Sequence, residues 1–514
     1  MKIALAQINP TVGDLEGNVA RILQAVHQSV AQSPNLVVLP EMALTGYPPR
    51  DILLDESFSR AAMAALGDLA GRLTRFPPVL LGSLALAKTT LPNHPNLHNA
   101  AWLLQDGQPR LAAAKRLLPA YDVFHEPRWF VPGGFFPPIQ ICGQRAGILI
   151  CEDLWDEGYP VHPVDELKAA GAEIFICLAA SPYRQGIMER RLYHARRCGL
   201  PIVFVNAVGA NDELIFDGRS FVMQGEEVAF LPGFEEDVQV FEIGHLPLQS
   251  TESQSSWDTS HELAQALILG IRDFARKNGM MRAVLGLSGG IDSSVAAVLT
   301  VKALGADHVL GVAIPSRFTN PLSTQSAETL CEKLGCRFEV VPLESLHAAA
   351  EQSLSHLSTQ PESHLMENVQ ARLRMMILMA YVNQFGGFLL NTSNKTELTT
   401  GYSTLYGDLA GTLSPLGDLT KPQVYDLAKY LNSIEQDTIS RYIIERPPSA
   451  ELRPGQVDPF NYEVFSPQME ALVQANQSNR AMRQAEHKRW QAGIILKVSE
   501  KSFGSGRMMP VTRK

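Results

Sequence analysis

The sequence lacks several features that mark particular protein classes. Its six cysteines, spread over 514 residues, show neither the paired spacing of a zinc module nor the density of a disulfide framework. Lys and Arg number 44 and Asp and Glu 53, so the formal charge of −9 offers no basic excess for a phosphate backbone. No apolar run approaches the ~20 residues that cross a bilayer, and the first residues lack a signal-peptide pattern. We therefore expect a cytoplasmic protein whose partners include neither nucleic acid nor a membrane.

The chain is long enough for more than one domain. Its 514 residues are 45% hydrophobic and 19% charged, as in soluble globular proteins, and amount to about three domains of ~150 residues. Residues 249–256 contain only Gln, Ser, Thr and Glu, which is typical of an exposed connector. We therefore predict one domain over residues 1–245, a linker over 246–258 and a second domain over 259–514.

In the first domain, short apolar runs alternate with helix-like stretches. Apolar residues occupy consecutive positions in most of these runs, which is typical of strands that are covered on both faces. The predicted fold is therefore α/β and layered, with helices or a second sheet on each side of the strands. The predicted strands cover residues 3–8, 36–39, 79–83, 147–150, 174–178 and 202–205.

The second domain shows a strand–helix–strand pattern. A helix is predicted from residue 259 onward, where apolar residues recur at helical spacing. Strands at 283–287 and 309–314 then flank a helix at 293–304. Such a unit implies a parallel, Rossmann-like sheet.

Three chemically useful side chains lie near predicted strand ends of the first domain. Cys151 directly follows the strand at 146–150, Glu41 lies just past the strand at 36–39, and Lys115 precedes a proline-bounded loop. A nearby ammonium is expected to lower the pKa of a thiol, and a carboxylate can accept and return its proton. Taken alone, Cys151 would more often be a small buried hydrophobe. Together the three residues resemble the catalytic set of the nitrilase (carbon–nitrogen hydrolase) superfamily.

The nitrilase resemblance covers roughly residues 1–245 and implies an αββα sandwich. It implies that Cys151 attacks a carboxamide carbon to give a thioester, with release of ammonia. Glu41 would serve as general base and then acid, and Lys115 would stabilise the oxyanion. Glu126 matches a position where the superfamily often carries a supporting Glu, although by itself it is equally compatible with a surface loop.

The segment Asn-Asp-Glu-Leu-Ile-Phe-Asp-Gly is similar to one typical of glutamine-using members of this superfamily. The resemblance implies that Tyr121 and Ser181 line a glutamine pocket. It also leads us to expect a basic residue six positions after Ser181, where this sequence has Ile187. Arg184 and Arg190 are nearby candidates for holding the substrate carboxylate, and the sequence does not choose between them.

A glycine-rich loop at residues 288–294 joins a predicted strand to a predicted helix. In that position, backbone N–H groups and the helix dipole can hold phosphate. The loop matches neither GxxxxGK[ST] nor GxGxxG, which disfavours a P-loop NTPase or a dinucleotide dehydrogenase. It resembles the pyrophosphate loop of ATP pyrophosphatases, which adenylate a substrate. Asp292 would hold Mg²⁺ on the ATP phosphates, with Glu397 as the second ligand, although Glu397 alone would more often lie on the surface.

Further motifs, at residues 367–374, 391–397, 401–408, 415–421 and 446–452, resemble those of NAD synthetases. With the nitrilase-like half, the whole chain resembles the glutamine-dependent NAD synthetase family. Position by position, this resemblance assigns ATP contacts to Gly286, Leu287, Ser288, Gly289, Gly290, Ile291, Asp292, Ser293, Thr392, Lys421 and Ser449. It assigns deamido-NAD contacts to Asn368, Arg372, Glu397, His487, Lys488 and Lys497.

The activity implied by the resemblance is that of a carbon–nitrogen ligase in the last step of NAD biosynthesis. ATP, as co-substrate with Mg²⁺, would adenylate the nicotinate carboxylate of deamido-NAD, and ammonia from glutamine would then displace AMP. The implied partners are small-molecule substrates and further copies of the chain in a homo-oligomer. Two alternatives stay open, namely another ATP-pyrophosphatase amidotransferase with a different acceptor, and a nucleotide-binding regulator with one or both sites inert.

Overall fold

The computed structural model describes residues 1–87, 96–246, 259–357, 364–434, 437–507 and 509. The chain forms two compact units, Met1–Trp257 and Asp258–Lys514. Apart from Leu246, the predicted linker at 246–258 lies outside the described residues, so the exact domain bounds stay a prediction.

The first unit is mainly β-structure. Its helices are α1 (Leu15–Val30), α2 (Glu56–Arg72), α3 (Pro163–Ala169) and α4 (Ile187–Arg197). Its strands are β1 (Lys2–Gln7), β2 (Leu36–Val38), β3 (Val79–Leu86), β4 (Leu97–Gln105), β5 (Gln108–Ala114), β6 (Ile139–Ile141), β7 (Gln144–Ile150), β8 (Ile174–Ala179), β9 (Ile202–Asn206), β10 (Val208–Asn211), β11 (Leu214–Asp217), β12 (Phe221–Gln224), β13 (Glu227–Phe230) and β14 (Asp237–Glu242).

Two six-stranded sheets form the centre of this unit. Their strand orders are β14-β1-β2-β3-β4-β5 and β13-β12-β9-β8-β7-β6. Because side chains alternate along a strand, Ile3 and Leu5 of β1 pack with Ile176 of the other sheet, while Ala4 and Ala6 pack with α1 and α2. Helices α3 and α4 cover the outer face of the second sheet. The predicted α/β class and the implied αββα sandwich are both confirmed.

The second unit combines a small parallel sheet with many helices. Its strands are β15 (Ala283–Gly286), β16 (Val309–Ala313), β17 (Arg337–Val340), β18 (Phe388–Leu389), β19 (Leu413–Ser414) and β20 (Ile494–Ile495). Its helices are α5 (Thr259–Lys277), α6 (Ile291–Leu304), α7 (Pro321–Leu334), α8 (Glu344–Leu354), α9 (Leu365–Phe385), α10 (Lys395–Thr400), α11 (Lys421–Ile434), α12 (Arg441–Glu445), α13 (Tyr462–Gln474), α14 (Arg480–Gln484) and α15 (Glu486–Arg489).

The four strands β17-β16-β15-β18 are all parallel, as the predicted βαβ unit requires. Helix α6 begins at Ile291, two residues before the predicted start, because Gly290 serves as its N-cap. The carboxyl ends of parallel strands meet at one edge of the sheet, which is where ligands bind in such folds. This edge carries the glycine-rich loop that follows β15.

Candidate active sites

The Cys151 side chain stands at a sharp turn in the first unit. Cys151 directly follows β7 and has a φ of 44°, in the left-handed region that side chains other than Gly rarely adopt. Asp153 holds this turn, since its Oδ2 accepts a hydrogen bond from the Ile150 N–H at 3.1 Å. Its Oδ1 accepts from the N–H groups of Arg116 and Leu117, at 2.9 and 3.0 Å. Asp153 therefore ties the residue before Cys151 to the residues after Lys115.

Lys115 lies buried between two carboxylates. Its Nζ is 2.8 Å from Glu41 Oε1 and 2.7 Å from Glu126 Oε1, and its side chain is 1% exposed. Asn99 Nδ2 donates to Glu41 Oε1 at 2.6 Å, and the Ala180 N–H donates to Glu41 Oε2 at 2.8 Å. Glu126 is thus a buried member of the cluster, which decides against a surface loop. These four hydrogen bonds fix both oxygens of Glu41 and one oxygen of Glu126.

The electrostatics of this cluster differ from the sequence prediction at the thiol. Burial raises the pKa of Cys151 well above its usual value, and the charge of Glu41 adds to that effect. Lys115 lowers the thiol pKa, as predicted, but it does not outweigh the other two influences. Burial also raises the pKa of Glu126 to about 7, against the opposing charge of Lys115. The resting site therefore holds a protonated thiol beside carboxylates.

The predicted glutamine residues lie on either side of this cluster. The Tyr121 hydroxyl donates to Glu152, at 3.1 Å from both carboxylate oxygens, and Glu152 directly follows Cys151. Tyr159 donates to the same carboxylate at 2.9 Å. Ser181 is buried and directly follows Ala180, whose N–H contacts Glu41. The roles of Tyr121 and Ser181 stay predictions.

The arginines near Ser181 differ in exposure and contacts. Ile187 is the buried first residue of α4. Arg190 is exposed and lies over the Trp155 ring, with its guanidinium carbon 5.9 Å from the ring centroid, and Arg184 is half-buried. The sequence analysis did not identify Asn99, because an amide within a strand has no distinctive sequence signal that would place it against Glu41. Glu152 and Asp153 directly follow Cys151 in the sequence, but the sequence did not indicate their hydrogen bonds to the two tyrosines and to the backbone N–H groups.

In the second unit, the glycine-rich loop lies at the mouth of a cavity of about 280 Å³. Gly289 has a φ of 71°, and a Cβ on it would lie 2.2 Å from the Ser323 carbonyl oxygen. Only glycine fits there, because the loop turns directly against the first turn of α7. The cavity is lined by the predicted ATP residues Gly286, Leu287, Ser288, Gly290, Ile291, Asp292, Ser293, Thr392, Lys421 and Ser449. Of the predicted ATP set, only Gly289 does not line it.

Asp292 and Glu397 lie on the cavity wall with Lys421 between them. Lys421 Nζ contacts Asp292 Oδ2 directly and lies 3.7 Å from Glu397 Oε1. Asn394 caps α10 and also donates from Nδ2 to Asp292 Oδ1 at 3.0 Å. Burial and the charge of Asp292 raise the pKa of Glu397 to about 8. Two carboxylates that lie this close to one lysine are a suitable donor pair for a divalent cation.

The structure brings some of the predicted deamido-NAD residues together. Asn368, Arg372 and Lys488 all bind the segment 401–405, through the Thr404 hydroxyl and through backbone carbonyls. Among the predicted deamido-NAD residues only Glu397 lines the cavity. His487 is exposed, whereas Lys497 is buried and donates to the carbonyls of Ser499 and Glu500. Their roles stay predictions.

The cavity also contains charged residues to which the sequence reasoning gave no role. Arg446 donates to Ser323 and Glu451, and its Nη2 lies 3.6 Å from a Cβ built on Gly290. Arg374 donates from Nε to the Ile314 carbonyl at 3.1 Å. Arg446 is the first residue of the motif at 446–452, and Arg374 is the last residue of the motif at 367–374. Membership of these motifs was the only sequence signal for the two arginines.

Two family models divide the chain between them. The model described as carbon–nitrogen hydrolase matches residues 2–253, and the model described as NAD synthase matches residues 263–503. A glutamine-dependent NAD(+) synthetase from Synechocystis sp. is 38% identical, over 99% of this chain and 98% of its own. Another from Rhodobacter capsulatus is 37% identical, over 100% of this chain and 98% of its own.

The chain belongs to the glutamine-dependent NAD(+) synthetase family. A solved glutamine-dependent NAD(+) synthetase from Acinetobacter baumannii, described in complex with ADP, superposes with a TM-score of 0.80 at 30% identity, over 99% of this chain and 98% of its own. The resemblance drawn from the sequence motifs is therefore confirmed at the level of the family. Of the described helices, none is long and apolar enough to cross a membrane.

Proposed function

We propose that the chain is a glutamine-hydrolysing NAD(+) synthetase that amidates deamido-NAD at the expense of ATP. The observation that supports this most directly is that one chain contains two separate sets of reactive side chains. The first set is Cys151 with Glu41 and Lys115, and the second is the 288–294 loop with Asp292 and Glu397. The first set would release ammonia and the second would activate a carboxylate to receive it. The proposal includes a cytoplasmic homo-oligomer, on the strength of the family resemblance.

In the glutaminase reaction, Cys151 attacks the carboxamide carbon of glutamine. Since the thiol is protonated at rest, Glu41 accepts its proton as the sulfur–carbon bond forms. Lys115 stabilises the oxyanion of the tetrahedral intermediate. Glu41 then returns the proton to the departing nitrogen, which leaves as ammonia. Water attacks the remaining thioester with Glu41 again as base, giving glutamate and the free thiol.

Glu126 and Asn99 hold the reacting groups in place. Glu126 Oε1 accepts from both Lys115 and the Tyr47 hydroxyl, at 2.7 and 2.8 Å, which fixes the ammonium beside Glu41. Asn99 donates to the same oxygen of Glu41 as Lys115 does. These contacts orient Glu41 before glutamine arrives, so that little reorganisation accompanies proton transfer.

In the synthetase reaction, the nicotinate carboxylate of deamido-NAD attacks the α-phosphorus of ATP. Pyrophosphate leaves, and its charge is held by backbone N–H groups and hydroxyls of the 288–294 loop at the N-terminus of α6. Lys421 adds a positive charge at the same place. Ammonia then attacks the acyl carbon of the acyl-adenylate, and AMP leaves to give the carboxamide of NAD.

Asp292 and Glu397 are the residues that would hold Mg²⁺. Within the described ranges, no group of three or more His, Cys, Asp or Glu side chains is placed to bind a metal ion. That result is compatible with Mg²⁺, which commonly takes one or two carboxylates together with phosphate oxygens and water. When bound, the ion supplies positive charge to the phosphates of ATP.

The deamido-NAD contacts are proposed from the family pattern. Asn368, Arg372 and Lys488 would act through the segment that they hold at 401–405, and His487 through its exposed ring. Lys497 would have to turn away from its present backbone partners to reach a ligand. Glu397 is the member of this set that already faces the cavity.

The first experiment follows AMP, pyrophosphate and NAD formation with Mg-ATP and deamido-NAD, once with glutamine and once with ammonia. We expect product from both donors in the unaltered chain. Cys151→Ala should abolish glutamine-dependent synthesis and leave ammonia-dependent synthesis, because only the nitrogen source is lost. Cys142→Ala, at an exposed cysteine of the same unit, is the matched control. Loss of both activities in folded Cys151→Ala would contradict the separation of the two sites.

A further inference from the structure

The glutamine pocket lacks the basic residue expected six positions after Ser181. Ile187 occupies that position, buried at the start of α4, and it cannot pair with a carboxylate. Arg190 is exposed and lies over Trp155. The α-carboxylate of the substrate therefore needs a different donor, and another arginine, Arg191, forms hydrogen bonds with Ser181.

Arg191 is fully buried in α4 and donates to Ser181. Its side chain is 0% exposed and forms a two-pronged ion pair with Asp217, at 2.9 and 2.8 Å. Its Nε donates to the Ser181 hydroxyl oxygen at 3.2 Å, and its Nη2 donates to the Ser181 carbonyl at 2.8 Å. The pairing with Asp217 compensates the buried charge, which would otherwise be very unfavourable. Arg191 is therefore held rigidly with two donors directed at one serine.

The other polar groups of Ser181 are also engaged. Its N–H donates to Asn206 Oδ1 at 2.8 Å, and its carbonyl also accepts from Asn206 Nδ2 at 3.2 Å. The hydroxyl oxygen accepts from Arg191, and its own proton has no acceptor in the part of the chain that the structure describes. Because an oxygen that accepts on one side donates on the other, Arg191 fixes the direction in which Ser181 donates.

Ser181 stands close to the reacting groups. The preceding residue, Ala180, donates its N–H to Glu41 Oε2 at 2.8 Å. Strand β8, which leads to Ser181, pairs in parallel with β7, which leads to Cys151, and Ile150 lies opposite Leu178. Ser181 is therefore at the same sheet edge as the nucleophile, within the site that a bound glutamine would occupy.

We propose that Arg191 is a positioning residue that makes Ser181 a hydrogen-bond donor for the α-carboxylate of glutamine. This inference rests on the proposed glutaminase function and on Ser181 lining its pocket. The Arg191 guanidinium does not touch the substrate, because Asp217 and Ser181 occupy its donors. It acts by orienting the hydroxyl and by withdrawing electron density from the oxygen, which strengthens donation to an anion. The buried Arg191 guanidinium thus acts through the Ser181 hydroxyl, in place of the basic residue that was expected where Ile187 stands.

The test compares two substrates that differ only in the carboxylate. Release of ammonia is measured from L-glutamine and from 4-aminobutanamide, which is glutamine without its α-carboxylate. The variants are Ser181→Ala and the double variant Arg191→Met with Asp217→Leu, which replaces the ion pair by apolar side chains of similar size. Such replacements of buried pairs are often tolerated by the fold, whereas Arg191→Met alone leaves an unpaired carboxylate. Arg196→Met, at an exposed arginine of the same helix, is the control.

Both alterations should raise KM for glutamine by ~10-fold or more, the effect of losing a hydrogen bond to a charged group, with kcat little changed. KM for 4-aminobutanamide should stay the same, which a general structural defect would not allow. Adding Ser181→Ala to the double variant should cause no further rise, because the two changes remove one interaction. Arg196→Met should leave KM for both substrates unchanged.

Three results would overturn the inference. One is an unchanged glutamine KM in the folded double variant, and another is an equal loss with both substrates. The third is full additivity of the Ser181 and Arg191 changes. Failure of the proposed function would look different, since the unaltered chain would then release no ammonia from glutamine, or Cys151→Ala would still release it. Circular dichroism and the Tm of each variant show whether the first unit is folded.

Discussion

Both candidate sites contain a lysine between two carboxylates, with an asparagine amide on one of them. In the first unit Lys115 lies between Glu41 and Glu126, and Asn99 donates to Glu41. In the second unit Lys421 lies between Asp292 and Glu397, and Asn394 donates to Asp292. The same side-chain chemistry therefore occurs twice in one chain, on unrelated folds.

The two clusters differ in how far they are closed. The Lys115, Glu41 and Glu126 side chains are 1, 0 and 3% exposed, and both ion-pair distances are below 3 Å. The Asp292 and Glu397 side chains are 16 and 18% exposed, and Lys421 is 3.7 Å from Glu397. In the first cluster the charged side chains are buried and pair with one another beside the proposed nucleophile. The second is open toward a cavity, as a site that must receive phosphates and a cation requires.

The largest expected effect is on NAD synthesis, and it tests whether the two clusters act independently. Asp292→Ala should reduce NAD synthesis at least ~100-fold with either nitrogen donor, because it removes a proposed Mg²⁺ ligand from the ATP phosphates. Ammonia release from glutamine should persist, since the first cluster is untouched. Both reactions are measured on the same preparation. Asp426→Ala, at an exposed residue of α11 that pairs with Lys429, is the control. Unchanged ammonia-driven turnover in Asp292→Ala would remove Asp292 from the metal site.

The next largest effect tests whether the deeper burial of the first cluster makes its ion pairs more important for stability. Lys115→Met leaves two fully buried carboxylates without their ion-pair partner, so we expect a loss of about 3–5 kcal/mol and a glutaminase rate lower by ~100-fold. Lys421→Met should cost much less stability, because water reaches its partners, but it should raise KM for ATP. Calorimetry of both variants measures the shift in Tm. Equal shifts would show that the difference in exposure has no energetic consequence.

A smaller effect concerns the protonation of Glu126. Its pKa is raised from 4.5 to about 7, so the folded chain holds this proton more tightly than the unfolded chain. The stability gained in this way is fully present below the unfolded pKa and is lost as the pH rises through about 7. The difference in Tm between the unaltered chain and Glu126→Gln should therefore shrink or reverse between about pH 5 and about pH 8.

Glutaminase activity provides a second readout for this residue. Glu126→Gln keeps an oxygen for Lys115 and Tyr47 but loses the charge, so kcat/KM should fall by ~10- to 100-fold. The unaltered chain should show a limb in kcat/KM near the Glu126 pKa of about 7, and the variant should lack it. Asp165→Asn, in the first turn of α3, is a suitable control. A limb that persists unchanged in Glu126→Gln would assign it to another group.

Sequence patterns predicted the fold better than the electrostatics of the sites. Strand ends and the glycine-rich loop follow from local periodicity, so Cys151 and the 288–294 loop could be placed correctly. The contacts of Asn99, Asp153 and Arg191 bring together residues from separate strands and helices, and no local pattern encodes them. Lys115 lowers the Cys151 pKa as the sequence indicated, but burial, which depends on the whole sandwich and has no local sequence signal, outweighs the lysine.

The smallest expected effect tests the asparagine amides. Asn99→Ser and Asn394→Ser each remove one amide donor, and Ser can still cap α10 at position 394. Each change should slow its own reaction by about fivefold, as expected for loss of one hydrogen bond to a charged group. Asn99→Ser should slow glutamine hydrolysis alone, and Asn394→Ser should slow synthesis with both donors. Each variant is the control for the other. Both amides are fully buried, so water can replace neither and the two effects should be of similar size. Slower ammonia-dependent synthesis in Asn99→Ser, or slower glutamine hydrolysis in Asn394→Ser, would contradict the assignment of each amide to its own cluster.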